Sequence, residues 1–462
     1  MRFFLQVGFH LTVDLIIKNC KIASSTGLIS AGLAIDNSKI VSIAKDVLLP
    51  AADKAIDCKG NLVLPGGIDF HVHLMDLGYA YREDWRTGTE SAAAGGTTFV
   101  VGIGHTNPPS TTRENLRKII EMAKRKAIVD FRINGAVTSH NLEELPKLAD
   151  EGVSTFGEIY MAESIPELEM VEDGVLLEAF KIIRNLDCLA GVHAEDWGII
   201  SYLAEKLKKA GRKDPLAHPE SRPDIAEEEA ISKVLLFARR TGVRLHIFHL
   251  TTKAGLELIE KARKSGQDIS CEVCTHHLLF RREDMKEYGP YLKCNPPIRS
   301  EENRRSLWEG LRKGTIDMVS TDHWPLPKSD KEVGWKDIWK AGAGMPGVET
   351  RIPLMLTYGV QKKRISMRTF LEVASENPAK RLGIYPRKGV IAVGSDADLT
   401  VVNLKEKTKI KAEKMHTKCE FTPYEGWEVV GMPYLTLVRG KVVMEGGEIT
   451  SKPGYGTYIQ RD

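Results

Sequence analysis

Val63 to Leu74 reads V-L-P-G-G-I-D-F-H-V-H-L. The run is apolar and rich in β-branched residues, which predicts a buried strand over Val63–His73. Residues two apart in a strand point to the same face, so His71 and His73 project together. Two imidazoles side by side at a strand end form half of a divalent metal site. An isolated H-x-H is usually a pair of ordinary histidines. Here further ligand-type residues recur at the ends of later strands.

Outward from this run the pattern alternates. Apolar segments at Thr97–Gly102, Phe131–Ala136, Thr155–Met161, Leu189–His193, Arg244–His249, Ile269–Glu272 and Met318–Asp322 read as strands. Between them, Glu114–Lys126 and Glu227–Arg240 carry apolar residues at helical spacing with charges opposite. Eight strands alternating with helices predict an α/β fold, a (β/α)8 barrel. A doubly wound open sheet ranks lower, because no G-x-G-x-x-G follows a strand. Before the barrel, Asp14–Ile17, Gly32–Ile35 and Ile40–Ile43 are short strands. After it come Leu399–Val402, Tyr434–Val438 and Lys441–Glu445. The predicted division is 1–61 and 386–462 as the two halves of one β-sandwich module, with 62–385 as the barrel.

The 462 residues suffice for one large barrel and a smaller module. A net charge of +3 gives no argument for a nucleic-acid or membrane partner. Met1 to Val13 lacks a cleavage-site pattern and is not read as a signal peptide. Seven scattered cysteines fit a reducing cytosol, hence a cytoplasmic protein. Cys271 and Cys274 form a lone C-x-x-C and are read as core or pocket residues.

In such barrels functional side chains sit at the C-terminal ends of the strands. Those ends hold His71, His73, Glu158, His193, His249 and Asp322. Four imidazoles and two carboxylates form a donor set that zinc favours, with manganese, cobalt and iron also served. The expected cofactor is one or two divalent ions, zinc first.

The motifs P-G-G-I-D-F-H-V-H-L at 65–74, G-T-E-S-A-A-A-G-G-T-T at 88–98, V-H-A-E-D at 192–196 and L-H-I-F-H-L at 245–250 carry a resemblance. So do C-E-V-C-T-H-H-L at 271–278, N-P-P-I-R at 295–299, S-T-D-H at 320–323 and P-G-V-E-T at 346–350. The chain resembles the amidohydrolase superfamily over nearly its whole length. Within it, the resemblance is to the cyclic amidohydrolases: dihydroorotase, allantoinase, hydantoinase and dihydropyrimidinase. The local motifs look most like dihydroorotase. The resemblance implies that His71 and His73 bind the more buried ion, with Asp322 close by, and that His193 and His249 bind the second. It implies a carboxylated lysine bridging the two ions from strand 4; Glu158 occupies that position, with a shorter stem. It further implies hydrolysis of a small cyclic amide or ureide by metal-activated water, with Asp322 as general base and then acid. Asn295 would contact the substrate's amide edge; its alternative is simple turn chemistry. Homo-oligomerisation follows by the same analogy.

Three positions depart from the dihydroorotase pattern. Met75, His105 and Leu326 stand where that pattern has groups that hold a carboxylate, so dihydroorotate is not the expected substrate. A pocket of Met75, Leu326 and Trp324 points to a substituted ring. The hydantoinase pattern has a tyrosine five residues after the bridge, where this chain has Glu163. A non-catalytic scaffold relative is the alternative from another class; the retained histidines argue against it. Tyr81, Trp85, Trp335 and Trp339 are expected near the barrel mouth, over the site or in a subunit contact.

Overall fold

The computed structural model describes residues 12–24, 27–163, 165 and 168–460. The reading of Met1 to Leu11 lies outside the described residues.

Eight parallel strands, here β1 to β8, line up in chain order as Gly67–Val72, Thr97–Gly102, Asp130–Ile133, Thr155–Tyr160, Leu189–His193, Arg244–Ile247, Ile269–Cys274 and Met318–Ser320. The first three pair side by side and the last five do the same. Parallel bridges Gly135↔Phe156 and Val72↔His323 join the two groups at both seams and close the barrel. The predicted alternation is therefore present, with strand ends shifted by a few residues.

The helices form where the apolar stripe requires them. Over Arg113–Lys126, Leu116, Ile119, Ile120 and Ala123 are buried at helical spacing, and Thr112 accepts a hydrogen bond from the Asn115 amide at the N-terminus. That stripe joins one apolar cluster with Val100, Ile133 and Val192 of the strands. Burial of such side chains contributes about 1.5–3 kcal/mol each.

The expected single strand Val63–His73 is two strands. Leu62–Pro65 belongs to the terminal module, where it pairs antiparallel with Leu399–Val402 and parallel with Thr12–Ser24. The chain then passes through Gly66 into β1. A side chain at Gly66 would collide with the Thr98 side chain, its Cβ lying 2.1 Å from Oγ1. The apolar run is continuous because both strands are buried, so hydrophobicity alone shows no break between them.

Strands from both ends of the chain form one connected nine-stranded sheet among the described residues. It encloses its own core of Ile17, Leu33, Val63, Leu399 and Leu437. A buried ion cluster fastens this module to the barrel. Lys388 donates to Asp130 of β3 at 2.7 Å and to Asp398 at 2.6 Å, and lies 3.0 Å from Asp396. Burial pushes the Asp396 carboxyl up, but Lys388 and Lys39 outweigh it and the net shift is down. Its stabilisation is full above the ordinary carboxylate pKa and is lost as pH falls through the lowered value. Lys388→Met leaves three buried carboxylates without their shared lysine. A loss of about 3–5 kcal/mol is expected, read from the midpoint of denaturant unfolding.

Candidate metal centre

His71 and His73 leave β1 on one side, with their Nε2 atoms 3.1 Å apart. Glu158 leaves β4 between two pairs of histidines. Its Oε2 lies 3.5 Å from His71 Nε2 and 3.9 Å from His73 Nε2. Its Oε1 lies 2.6 Å from His249 Nε2 and 3.3 Å from His193 Nδ1. His71, His73 and Glu158 thus form one ligand group, and Glu158, His193 and His249 another, all buried. Asp322 Oδ1 stands 3.0 Å from His73 Nε2 and 3.4 Å from His71 Nε2. All six predicted ligands converge. His249 and Asp322 lie just past β6 and β8, both with left-handed backbone.

The donor set fits divalent ions. Burial acts to lower the His71 pKa, yet the carboxylates of Glu158, Asp322 and Glu272 raise it well above its usual value. The electrostatics therefore call for positive charge at this point, which a divalent cation supplies. Burial likewise raises Asp322, against His71 and His249, to about 6.

Outer partners orient the ligands. Glu272 Oε1 pairs with His71 Nδ1 at 2.7 Å, and Ser320 donates to Glu272 Oε2 at 2.5 Å. Glu195 Oε2 pairs with His193 Nε2 at 2.9 Å and is held in turn by Arg222. Tyr160 donates to Glu158 Oε2 at 2.5 Å. None of these five residues is assigned a role from sequence. Tyr160 had a signal: it sits two residues after Glu158, the spacing that paired the histidines.

A cavity of about 330 Å³ opens over the centre. Glu158, His193, His249 and Asp322 reach it, as do Met75, His105, Asn295 and Leu326. Asn295 Oδ1 and His105 Nε2 are buried there without a hydrogen-bond partner. His105 stacks on His73 with ring centroids 4.8 Å apart, and burial holds its pKa well below the usual value. Trp324 lies over His73 at 4.2 Å.

The aromatic expectations change. Glu163 is exposed, while Tyr160 brings a tyrosine into the cavity from a different position. Trp85 is core, 1% exposed and packed on Phe131 at 4.9 Å; it caps the inner face of its helix and does not cover the mouth. Tyr81 and Trp335 are exposed, Trp339 is tied to the Arg212 carbonyl, and none of the three lines the cavity. Arg82, unforeseen, does line it.

The amidohydrolase family model matches residues 62–443. L-hydantoinase of Paenarthrobacter aurescens is 40% identical over 450 residues, covering 97% of this chain and 98% of that protein. Dihydroorotase of Methanosarcina acetivorans is 39% identical over 454 residues, covering 97% and 95%. Among solved structures, the L-hydantoinase (dihydropyrimidinase) from Arthrobacter aurescens superposes with a TM-score of 0.95 at 40% identity, covering 97% of this chain and 100% of that one.

Proposed function

The chain belongs to the amidohydrolase family, and on that premise we propose that it opens a hydantoin-type cyclic ureide to an N-carbamoyl acid at two zinc ions. The observation that carries this is the split of Glu158, one oxygen toward His71 and His73 and the other toward His193 and His249. As a divalent-metal-dependent hydrolase of cyclic amides, the protein needs both a Lewis acid and an activated water, and bound zinc supplies these. His71, His73 and Asp322 would hold one ion and His193 and His249 the other, with Glu158 between.

The chain's own residues do the rest. Asp322 takes a proton from the attacking water and passes it to the ring nitrogen as the carbon–nitrogen bond breaks. Asn295 Oδ1, an acceptor without a donor, receives a ring N–H. Trp324, Met75 and Leu326 exclude bulk water from one side of the ring.

Homo-oligomerisation is part of the same reading, supported by exposed Leu28, Val47 and Leu48 on the terminal module. A cytoplasmic setting is supported by seven unpaired cysteines. No helix among the described residues is long and apolar enough to cross a membrane.

The test is metal content per chain on protein purified without chelator, paired with ring opening of hydantoin, allantoin, dihydrouracil and dihydroorotate. Two ions and turnover of hydantoins, with dihydroorotate poorest, is the expected result. No metal and no turnover would overturn the reading in favour of a non-catalytic scaffold.

A further inference from the structure

Arg82 is the one lysine or arginine, among the described residues, that lines the metal-centre cavity. It comes from the irregular segment between β1 and the helix Trp85–Ala94. Its Nε is buried and has no hydrogen-bond partner. Asp330 forms only a loose ion pair with it, Nη2 to Oδ2 at 3.9 Å, too long for a hydrogen bond. The guanidinium rests over Tyr79 at 5.2 Å and Tyr81 at 5.5 Å. These faces hold the cation in place without neutralising it.

A buried guanidinium N–H without an acceptor costs free energy unless something supplies one. The remaining cavity wall near the metal ligands offers no such anion. Met75, Trp324 and Leu326 are apolar, and the glycine-rich wall Gly342–Gly344 is uncharged. The cavity thus has two polar ends: carboxylates and imidazoles at its buried floor, and a planar cationic fork at its rim, where the Arg82 side chain is 23% exposed. The fork's geometry matches a carboxylate in a bidentate pair. A ring seated at the floor would have room for a substituent reaching toward the rim, whereas Met75, a lining residue 1% exposed, offers no donor to a carboxylate bonded directly to the ring.

We propose that Arg82 is a specificity residue that selects cyclic ureides whose ring substituent ends in a carboxylate on a short spacer. This rests on the hydrolytic reading above. Arg82 touches the substituent, remote from the reacting atoms, so its contribution falls on KM more than on kcat.

The experiment uses the full-length, metal-loaded protein with 5-(2-carboxyethyl)hydantoin and its near-isosteric neutral partner, 5-(2-carbamoylethyl)hydantoin. The wild type is expected to favour the acid by about tenfold or more in kcat/KM, the scale of a charge-assisted bidentate pair. In Arg82→Gln that ratio collapses toward one, mainly through KM for the acid. Arg82→Lys retains part of it. A wild-type ratio near one, or a ratio that Arg82→Gln leaves intact, would overturn the proposal while the hydrolytic reading stands. So would turnover of unsubstituted hydantoin with neither substituted ring accepted. Failure to open any ring at full metal occupancy would overturn both.

Discussion

Asp322→Asn will lower kcat by about 10²- to 10⁴-fold, the range for loss of a positioned proton-transfer group. The change keeps size and removes basicity. Asp322 is suited to the task by burial, which raises its carboxyl to about 6, and by position, 3.0 Å from His73 Nε2 at the floor of the cavity. Bound cations draw a carboxylate's pKa lower. The acid limb of the wild-type pH profile should therefore lie at or below about 6, and the variant should lose it. KM should move little, because the proton is transferred only in the transition state. Metal analysis separates the two roles this residue can play. If Asp322 serves only as a ligand, the variant will lack one ion and excess metal will restore its rate. If it moves the proton, the fully loaded variant stays slow.

Glu158→Gln should be as severe for a different reason. Among the described residues, the carboxylate is the one group within reach of both histidine pairs. An amide offers one oxygen and no charge, so it cannot serve both sides. Loss of partners that only orient ligands costs about 10–100-fold in affinity or activity; loss of the shared ligand should exceed that. The expected outcome is a fall from two ions per chain to one or none, with activity reduced well over 100-fold. Retention of two ions with near-normal turnover would show that the histidines and Asp322 suffice, and that Glu158 is not a bridge.

Much of this arrangement is legible in the sequence. The barrel strands are short apolar runs, and the period of two that pairs His71 with His73 is a property of any strand. Glu158 has a shorter stem than the lysine that the resemblance implies there, and its Oε1 lies 2.6 Å from His249 Nε2 and its Oε2 3.5 Å from His71 Nε2. Chain geometry at β4, which sequence does not report, sets where that carboxylate lies. Glu272 escapes notice because its partner His71 is fixed only when strands meet, whereas Glu195, like Tyr160, stands two residues from the group it pairs with. Arg82 escapes for a related reason: an irregular segment has no period, so nothing local says where its side chain points. Trp85 shows the converse. A large aromatic near a strand end suggests a lid, but its place on the inner face of a helix sends it into the core.

The strand Leu62–Pro65 has a consequence for how the protein is made. It runs through Gly66 into the segment bearing His71 and His73, and its antiparallel neighbour is Leu399–Val402. On the ribosome, His71 and His73 emerge early, as do the neighbouring strands Thr12–Ser24 and Thr97–Gly102, while Leu399–Val402 is among the later pieces to leave the tunnel. The terminal sheet therefore closes around that strand only near the end of translation, and a chain ending before residue 399 keeps Leu62–Pro65 paired on one side alone, with Thr12–Ser24.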